Sequence, residues 1–190
     1  MKEAIIIHGG PGKEVFFDES IPPPSHSFWF PWLQKQFLVN GILAQAPVMP
    51  APYDSKFSEW AEIFDRFASP NLAYAVGHSS GGGFLVKYMQ TSGLRLEKLI
   101  LVAPWLDPKK NFGEEWQTSL DPRALDNVIE THLLISDDDD TAELESARRL
   151  VDAYPKIIEH RFQNRGHFIF INELPELKPI IFGKGRLDGK

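Results

Sequence analysis

The pentapeptide at residues 77–81, Gly-His-Ser-Ser-Gly, has the residue types and spacing that nucleophilic chemistry needs. It follows the apolar run 72–76 and precedes residues 82–89, whose pattern is that of a helix. A serine on a sharp strand-to-helix turn lifts its hydroxyl above the sheet, and glycines two residues to either side leave space for the turn. The spacing therefore predicts Ser79 as a nucleophile, and a plain glycine- and serine-rich connector is the alternative.

A serine hydroxyl is a weak nucleophile and needs a base that a carboxylate orients. After a nucleophile on such a turn the chain order is acid and then histidine, and His132, His160 and His167 follow Ser79. His132 begins a predicted strand and His160 lies inside one, so both are expected to face packing or solvent. His167 instead follows the last predicted strand, where Gly166 lets the loop turn back over the sheet edge. His167 is the predicted base, and an ordinary loop histidine is the alternative.

The acid is expected in residues 136–140, which contain four consecutive aspartates. A run of like charges is ordinarily a solvated loop, and it is not an EF-hand loop because glycine is absent from the sixth position. Asp139 has the best register, three residues beyond Ser136 and four before Glu143, which opens the next predicted helix. Asp138 is the close alternative.

An oxyanion needs two N–H donors. The first is expected from the backbone of Ser80, the residue after the nucleophile. The second is expected from Gly10, within the His-Gly-Gly-Pro-Gly loop at residues 8–12, because glycines let the backbone approach a substrate carbonyl. A phosphate loop is the competing interpretation, but Glu14 stands where that motif has serine or threonine.

Short apolar runs alternate with helical patterns along the chain. The predicted strands are 4–7, 42–48, 72–76, 98–102, 132–135 and 157–162, and the predicted helices are 32–39, 59–67, 82–91 and 143–153. This alternation indicates an α/β fold with a doubly wound, mostly parallel sheet of about six strands and helices on both faces. Two proline-rich loops, 10–31 and 47–52, follow strands and should emerge at the carboxyl edge, where such folds bind ligands.

Composition limits the remaining classes of function. The 190 residues suit one domain, 1–190, in which the polar, glycine-rich residues 183–190 should be a flexible tail. A net charge of −6 argues against binding nucleic acid. The absence of cysteine excludes disulfides, thiolate metal sites and a cysteine nucleophile in this chain. The N-terminal apolar run is too short for a signal peptide or membrane span, so a cytoplasmic protein without membrane contact is expected.

With these motifs in place, the chain resembles the small serine hydrolases related to retinoblastoma-binding protein 9, a compact branch of the α/β-hydrolase superfamily. The matching features span most of the chain: His8-Gly9, the aromatic stretch 26–33, the proline-rich 47–52 with Trp60, Gly77-His78-Ser79, residues 101–104, the acid loop 136–139 and residues 166–168. The resemblance implies a triad of Ser79, Asp139 and His167 and no cofactor or metal. It also implies a small-molecule acyl substrate.

Two departures from the family pattern stand out. Residues 12–25 look like an insertion that could narrow or cover the site. The Leu-x-Cys-x-Glu motif linked to retinoblastoma binding cannot exist without cysteine, so that partner is not expected. The loop 8–12 also looks like that of proline iminopeptidases, but the segment 105–130 is too short for their large helical cap.

The predicted function is therefore a serine hydrolase that cleaves a small ester, in the manner of a carboxylesterase, through an acyl-enzyme. A catalytically silent hydrolase fold that binds or regulates a partner is one alternative. A small aminopeptidase-like amidase is another. Residues 28–32 contain four aromatic residues, which could form an exposed partner-binding patch but more commonly form core or pocket wall.

Overall fold

A six-stranded parallel sheet forms the centre of the computed structural model, which describes residues 1–110, 112–117 and 119–183. The strands are β1 (Glu3–Ile7), β2 (Leu43–Gln45), β3 (Leu72–His78), β4 (Leu96–Val102), β5 (Val128–Ser136) and β6 (Ile158–Phe162). Their order across the sheet is β2-β1-β3-β4-β5-β6, and every neighbouring pair is parallel. The predicted fold class is confirmed.

Helices cover both faces of this sheet. They are α1 (Lys13–Phe16), α2 (Phe30–Val39), α3 (Phe57–Phe67), α4 (Ser80–Ser92), α5 (Thr141–Ala153) and α6 (Leu177–Phe182). Alternate residues of β1 point to opposite faces: Ile5 and Ile7 pack in one core with α3, α4 and α5, while Ala4 and Ile6 pack in the other with α2 and α6. Within the described residues no helix has the length and apolar character to cross a membrane.

Several element bounds differ from the predictions for identifiable reasons. The strand predicted over 42–48 is only Leu43–Gln45, an edge strand that ends shortly before Pro47, which has no N–H to donate. β5 begins at Val128 rather than His132, because the polar Glu130 and Thr131 interrupt the apolar pattern between Ile129 and the rest of the strand. Helices α1 and α6 were not predicted, since both are short. Of the tail predicted over 183–190, residues 184–190 lie outside the described part of the chain.

Candidate active site

Ser79 lies on the turn between β3 and α4 with φ 53° and ψ −124°, a conformation that residues other than glycine rarely adopt. A Cβ on Gly77 would lie 2.7 Å from the carbonyl oxygen of Gly81, and one on Gly81 would collide with the carbonyl oxygen of Ile7. Both glycines are therefore required by close backbone approach. The Ser79 N–H donates to the carbonyl of Val102 at 3.0 Å, which ties the turn to the end of β4.

His167 and Asp139 meet in the loops that follow β6 and β5, two adjacent strands. The imidazole Nδ1 lies 3.0 Å from Asp139 Oδ1 and 3.3 Å from Oδ2. The Asp139 side chain is only 1% exposed, and its Oδ1 also accepts the backbone N–H of Asp140 at 2.8 Å. The carboxylate is thus held in place while Nδ1 of His167 faces it, which leaves Nε2 as the free ring nitrogen.

The charges around His167 favour its protonated form. Burial of the ring lowers the pKa of His167, but the hydrogen bond and negative charge of Asp139, with Glu143 and Asp140, outweigh burial and raise the pKa. Burial also raises the pKa of Glu143, an effect that the positive charge of His167 opposes. The surroundings therefore stabilise an imidazolium, which is the charge that a general base acquires.

Asp138, the alternative acid, contacts the backbone of the His167 turn instead of the imidazole. Its Oδ1 accepts the N–H groups of Gly166 at 3.0 Å and Arg165 at 3.2 Å, and it also accepts the hydroxyl of Ser136. The Ser136 and Gly166 hydrogen bonds lower the pKa of Asp138. The structure thus brings Asp139 against the imidazole and uses Asp138 to hold the turn.

Two buried residues that sequence reasoning missed hold the same turn from the core side. His78 donates from Nε2 to the backbone carbonyl of His167 at 2.8 Å, and Trp29 donates from Nε1 to the carbonyl of Phe168 at 3.0 Å. Burial and the charge of His167 lower the pKa of His78 to about 3, so His78 is neutral. The one available sequence signal was a histidine directly before the predicted nucleophile.

The aromatic stretch 28–32 does not form an exposed patch. Trp29 is fully buried and Phe30 is 2% exposed, while Phe28 and Trp32 are half-buried. Both buried rings contact His78 edge-on, at 5.9 Å between ring centroids. The core and pocket-wall interpretation of these residues is therefore the one that the structure supports.

His8 orients the loop that carries Gly10. Its Nε2 accepts the N–H of Met49 at 2.8 Å, so Nδ1 is the donor toward the Gly9 carbonyl at 2.6 Å. Burial lowers the pKa of His8 to about 4, which keeps the ring neutral. A trans peptide points the N–H of Gly10 away from the Gly9 carbonyl and hence away from His8. Gly9 lies against Ser79, since a Cβ there would lie 2.7 Å from Ser79 Cβ.

Ser80 is the first residue of α4, so its N–H has no acceptor within the helix. The residue is buried, and its Oγ has no hydrogen-bond partner within the described part of the chain. Of the two predicted oxyanion donors, Ser80 is next to Ser79 along the chain, and Gly10 lines the same pocket as Ser79.

A pocket of about 240 Å³ opens beside these residues at the carboxyl edge of the sheet. Ser79 and His167 both line it, together with residues 8–11. Most of the remaining lining is apolar and comes from the loop 10–31, including Val15 of α1 and Ile21. The loop that was expected to narrow the site therefore forms part of its wall.

The other two histidines that follow Ser79 pair with each other. His132 Nδ1 and His160 Nε2 are 3.0 Å apart, and their rings stack with an interplanar angle of 24°. Neither lines the pocket. Within the described residues, no cluster of three or more histidine and acidic side chains could hold a metal ion.

Comparison with known proteins gives a consistent set of relatives. YdeN of Bacillus subtilis (strain 168) is 24% identical over 178 residues, which cover 90% of this chain and 93% of YdeN. The crystal structure of the ydeN gene product matches with a TM-score of 0.77 at 23% identity, covering 95% of this chain and 97% of that one.

More distant structures share the fold. Carboxylesterase CesB (YbfK) from Bacillus subtilis matches with a TM-score of 0.60 at 15% identity, over 97% of this chain and 85% of that one. Est1E from Butyrivibrio proteoclasticus matches with a TM-score of 0.60 at 14% identity, over 87% and 79%. The family model described as serine hydrolase matches residues 21–173, most of the chain. The chain therefore belongs to the serine hydrolase family and has the α/β-hydrolase fold.

Proposed function

We propose that this serine hydrolase cleaves a small carboxylic ester through an acyl-enzyme on Ser79. His167 acts as the base and Asp139 orients it. The observation that carries the proposal is the contact between the buried Asp139 carboxylate and the half-buried His167 imidazole, 3.0 Å apart, beside a pocket that His167 and Ser79 both line. A nucleophile on a strained turn together with an oriented imidazole is the arrangement that acyl transfer requires.

The reaction proceeds in two halves. In the first, the Ser79 oxygen forms a bond to the ester carbonyl carbon while its proton passes to His167 Nε2. The bond from that carbon to the alcohol oxygen then breaks, and the alcohol leaves with the proton from His167. In the second half, water attacks the acyl carbon and gives a proton to His167. The Ser79 oxygen leaves the carbon and regains that proton, and the carboxylic acid departs.

The two backbone donors act on the negative charge that develops on the carbonyl oxygen. The N–H groups of Gly10 and Ser80 are the proposed oxyanion donors. His8 supports this role because its hydrogen bond fixes the direction of the Gly9 carbonyl. The N–H of Gly10 then points in the opposite direction, away from His8. Each such donor is worth roughly 10²–10³ in kcat in serine hydrolases in general.

The test is covalent labelling of the purified protein with a fluorophosphonate, followed by assays on nitrophenyl esters. We expect labelling and ester turnover in the natural chain and neither with Ser79→Ala. The matched control is Ser92→Ala, an exposed serine at the far end of the same helix, which should be labelled like the parent. Labelling that persists in Ser79→Ala rejects the nucleophile. If the parent is not labelled and also does not cleave the nitrophenyl esters, the silent hydrolase fold is supported instead.

A further inference from the structure

The pocket wall formed by residues 11–28, here called the front wall, contributes little to the protein core. Its short helix α1 contains no buried residue. Val15 and Ile21, which line the pocket, are 45% and 41% exposed although both are apolar. Apolar side chains gain stability from leaving water. An apolar occupant of the pocket would supply the burial that these two side chains lack.

The front wall is nevertheless held in place by specific contacts. The rings of Phe16 and Phe17 pack against Tyr53, with centroids 5.5 and 5.8 Å away, so α1 is fastened to the loop that follows β2. At the other end of the wall, the Ser27 hydroxyl lies 3.2 Å from the carbonyl oxygens of both Pro22 and Pro23. The first contact fixes α1 against the rest of the protein, and the second fixes the conformation of the wall's C-terminal end.

The described residues of the pocket also lack a negative charge that could pair with a cationic substrate group. Among the described residues that line it there is no aspartate, glutamate, lysine or arginine. His8 and His78 line it as neutral rings, because burial lowers their pKa values to about 4 and about 3. An ammonium group placed there would lose hydration without gaining an ionic partner, which is costly. An uncharged group would lose nothing comparable.

Size and chemistry together identify the part of the substrate that fits. The volume of about 240 Å³ is roughly eight times the share of liquid volume that one water occupies. The acyl group stays bonded to Ser79 while the alcohol departs and water enters, so a pocket that Ser79 lines suits the acyl group. We propose that the front wall makes this pocket a binding site for a short, uncharged, apolar acyl group, with Val15 and Ile21 setting its length.

This inference rests on the proposed function, and its test compares two nitrophenyl esters that differ in one group. The 4-methylpentanoate and L-leucine esters have the same carbon skeleton, but the second carries an α-ammonium, which is charged at pH 6.5. We expect kcat/KM for the uncharged ester to be at least about tenfold higher after subtraction of spontaneous hydrolysis. Equal or better turnover of the leucine ester overturns the inference while leaving the serine hydrolase intact.

A series of unbranched nitrophenyl esters tests the role of Val15. We expect kcat/KM to rise to about six carbons and fall beyond about eight, the size that the pocket volume allows. Val15→Ala should move the optimum about two carbons longer, because it removes two methyl-sized groups from the wall. Val39→Ala is the control, since Val39 is 62% exposed at the end of α2 and does not line the pocket.

The possible outcomes distinguish failure of this inference from failure of the proposed function. A flat length profile, or a Val15→Ala profile that matches the parent, overturns the inference alone. Fluorophosphonate labelling of Ser79 without turnover of any of these esters overturns the inference and the ester substrate, and it leaves Ser79 as a reactive nucleophile. If the esters are not cleaved and Ser79 is not labelled, both the inference and the proposed function fail.

Discussion

Replacing Asp139 by asparagine tests the pairing of the candidate base most directly. Asparagine has nearly the same shape and can still accept the N–H of Asp140, which now donates to Oδ1 at 2.8 Å. It removes the negative charge that lies 3.0 Å from Nδ1 of His167. It also offers an N–H₂ group to that nitrogen, which favours the tautomer with the proton on Nε2. In that tautomer Nε2 cannot accept the proton of Ser79.

The size of the effect follows from burial. The Asp139 side chain is 1% exposed, so water cannot replace the lost charge. A triad carboxylate changed to its amide costs roughly 10⁴ in kcat when the geometry is otherwise kept. Each tenfold loss corresponds to about 1.36 kcal/mol of activation free energy, so the expected loss is about 5 kcal/mol. KM should change little, because Asp139 does not line the pocket.

The pH dependence gives a second signature in the same variant. Burial lowers the pKa of His167, and the contacts with Asp139 are the chief cause that raises it. In the parent, activity is therefore expected to fall as pH decreases through a raised pKa, since the base must be neutral to act. Without the carboxylate, burial dominates and the pKa falls. The acid limb of the kcat/KM profile should then move to lower pH.

The assay is steady-state hydrolysis of a short nitrophenyl ester between pH 5 and 9, beside thermal unfolding. Asp137→Asn is the matched control from the same aspartate run, because Asp137 is exposed and its one salt bridge among the described residues is with Arg161 at the surface. It should keep the parental kcat and pH profile. A loss of less than about tenfold in Asp139→Asn, or an unchanged acid limb in a folded variant, would refute the assigned role of this pair.

Two further predictions concern the buried histidines. His78→Phe keeps an aromatic ring but removes the donor to the His167 carbonyl. We therefore expect the unfolding free energy to fall by about 1–3 kcal/mol and kcat to decrease. An unchanged unfolding free energy in urea and an unchanged kcat in ester assays would contradict the positioning role of His78. The pKa values of His8 and His78 are lower in the folded protein than the unfolded value of 6.5. Their contribution to the free energy of unfolding is therefore complete above pH 6.5 and is lost as the pH falls below 6.5. Unfolding free energy should drop by about 2 kcal/mol for each between pH 8 and pH 5, and a flat profile in urea titrations would disprove this.

The fold class and the location of the site could be predicted from local sequence. The pentapeptide at 77–81 predicts its turn because close backbone contacts there admit only glycine, a constraint that acts within a few residues. Parallel strands bring their carboxyl ends to one edge, so the chain order of Ser79, the aspartate run and His167 was enough to place all three there. Their catalytic roles stay proposals that the variants above test.

Only the tertiary structure decided which aspartate meets His167. Asp138 and Asp139 are neighbours of the same type, and the choice depends on how the loop after β5 packs against the turn after β6. The pocket wall is similar, since Val15 faces the site only because Phe16 and Phe17 pack on Tyr53, more than thirty residues away in the chain. The hydrogen bond from His78 to His167 spans 89 positions. Such contacts depend on packing between distant segments, and no local pattern of residue types encodes them.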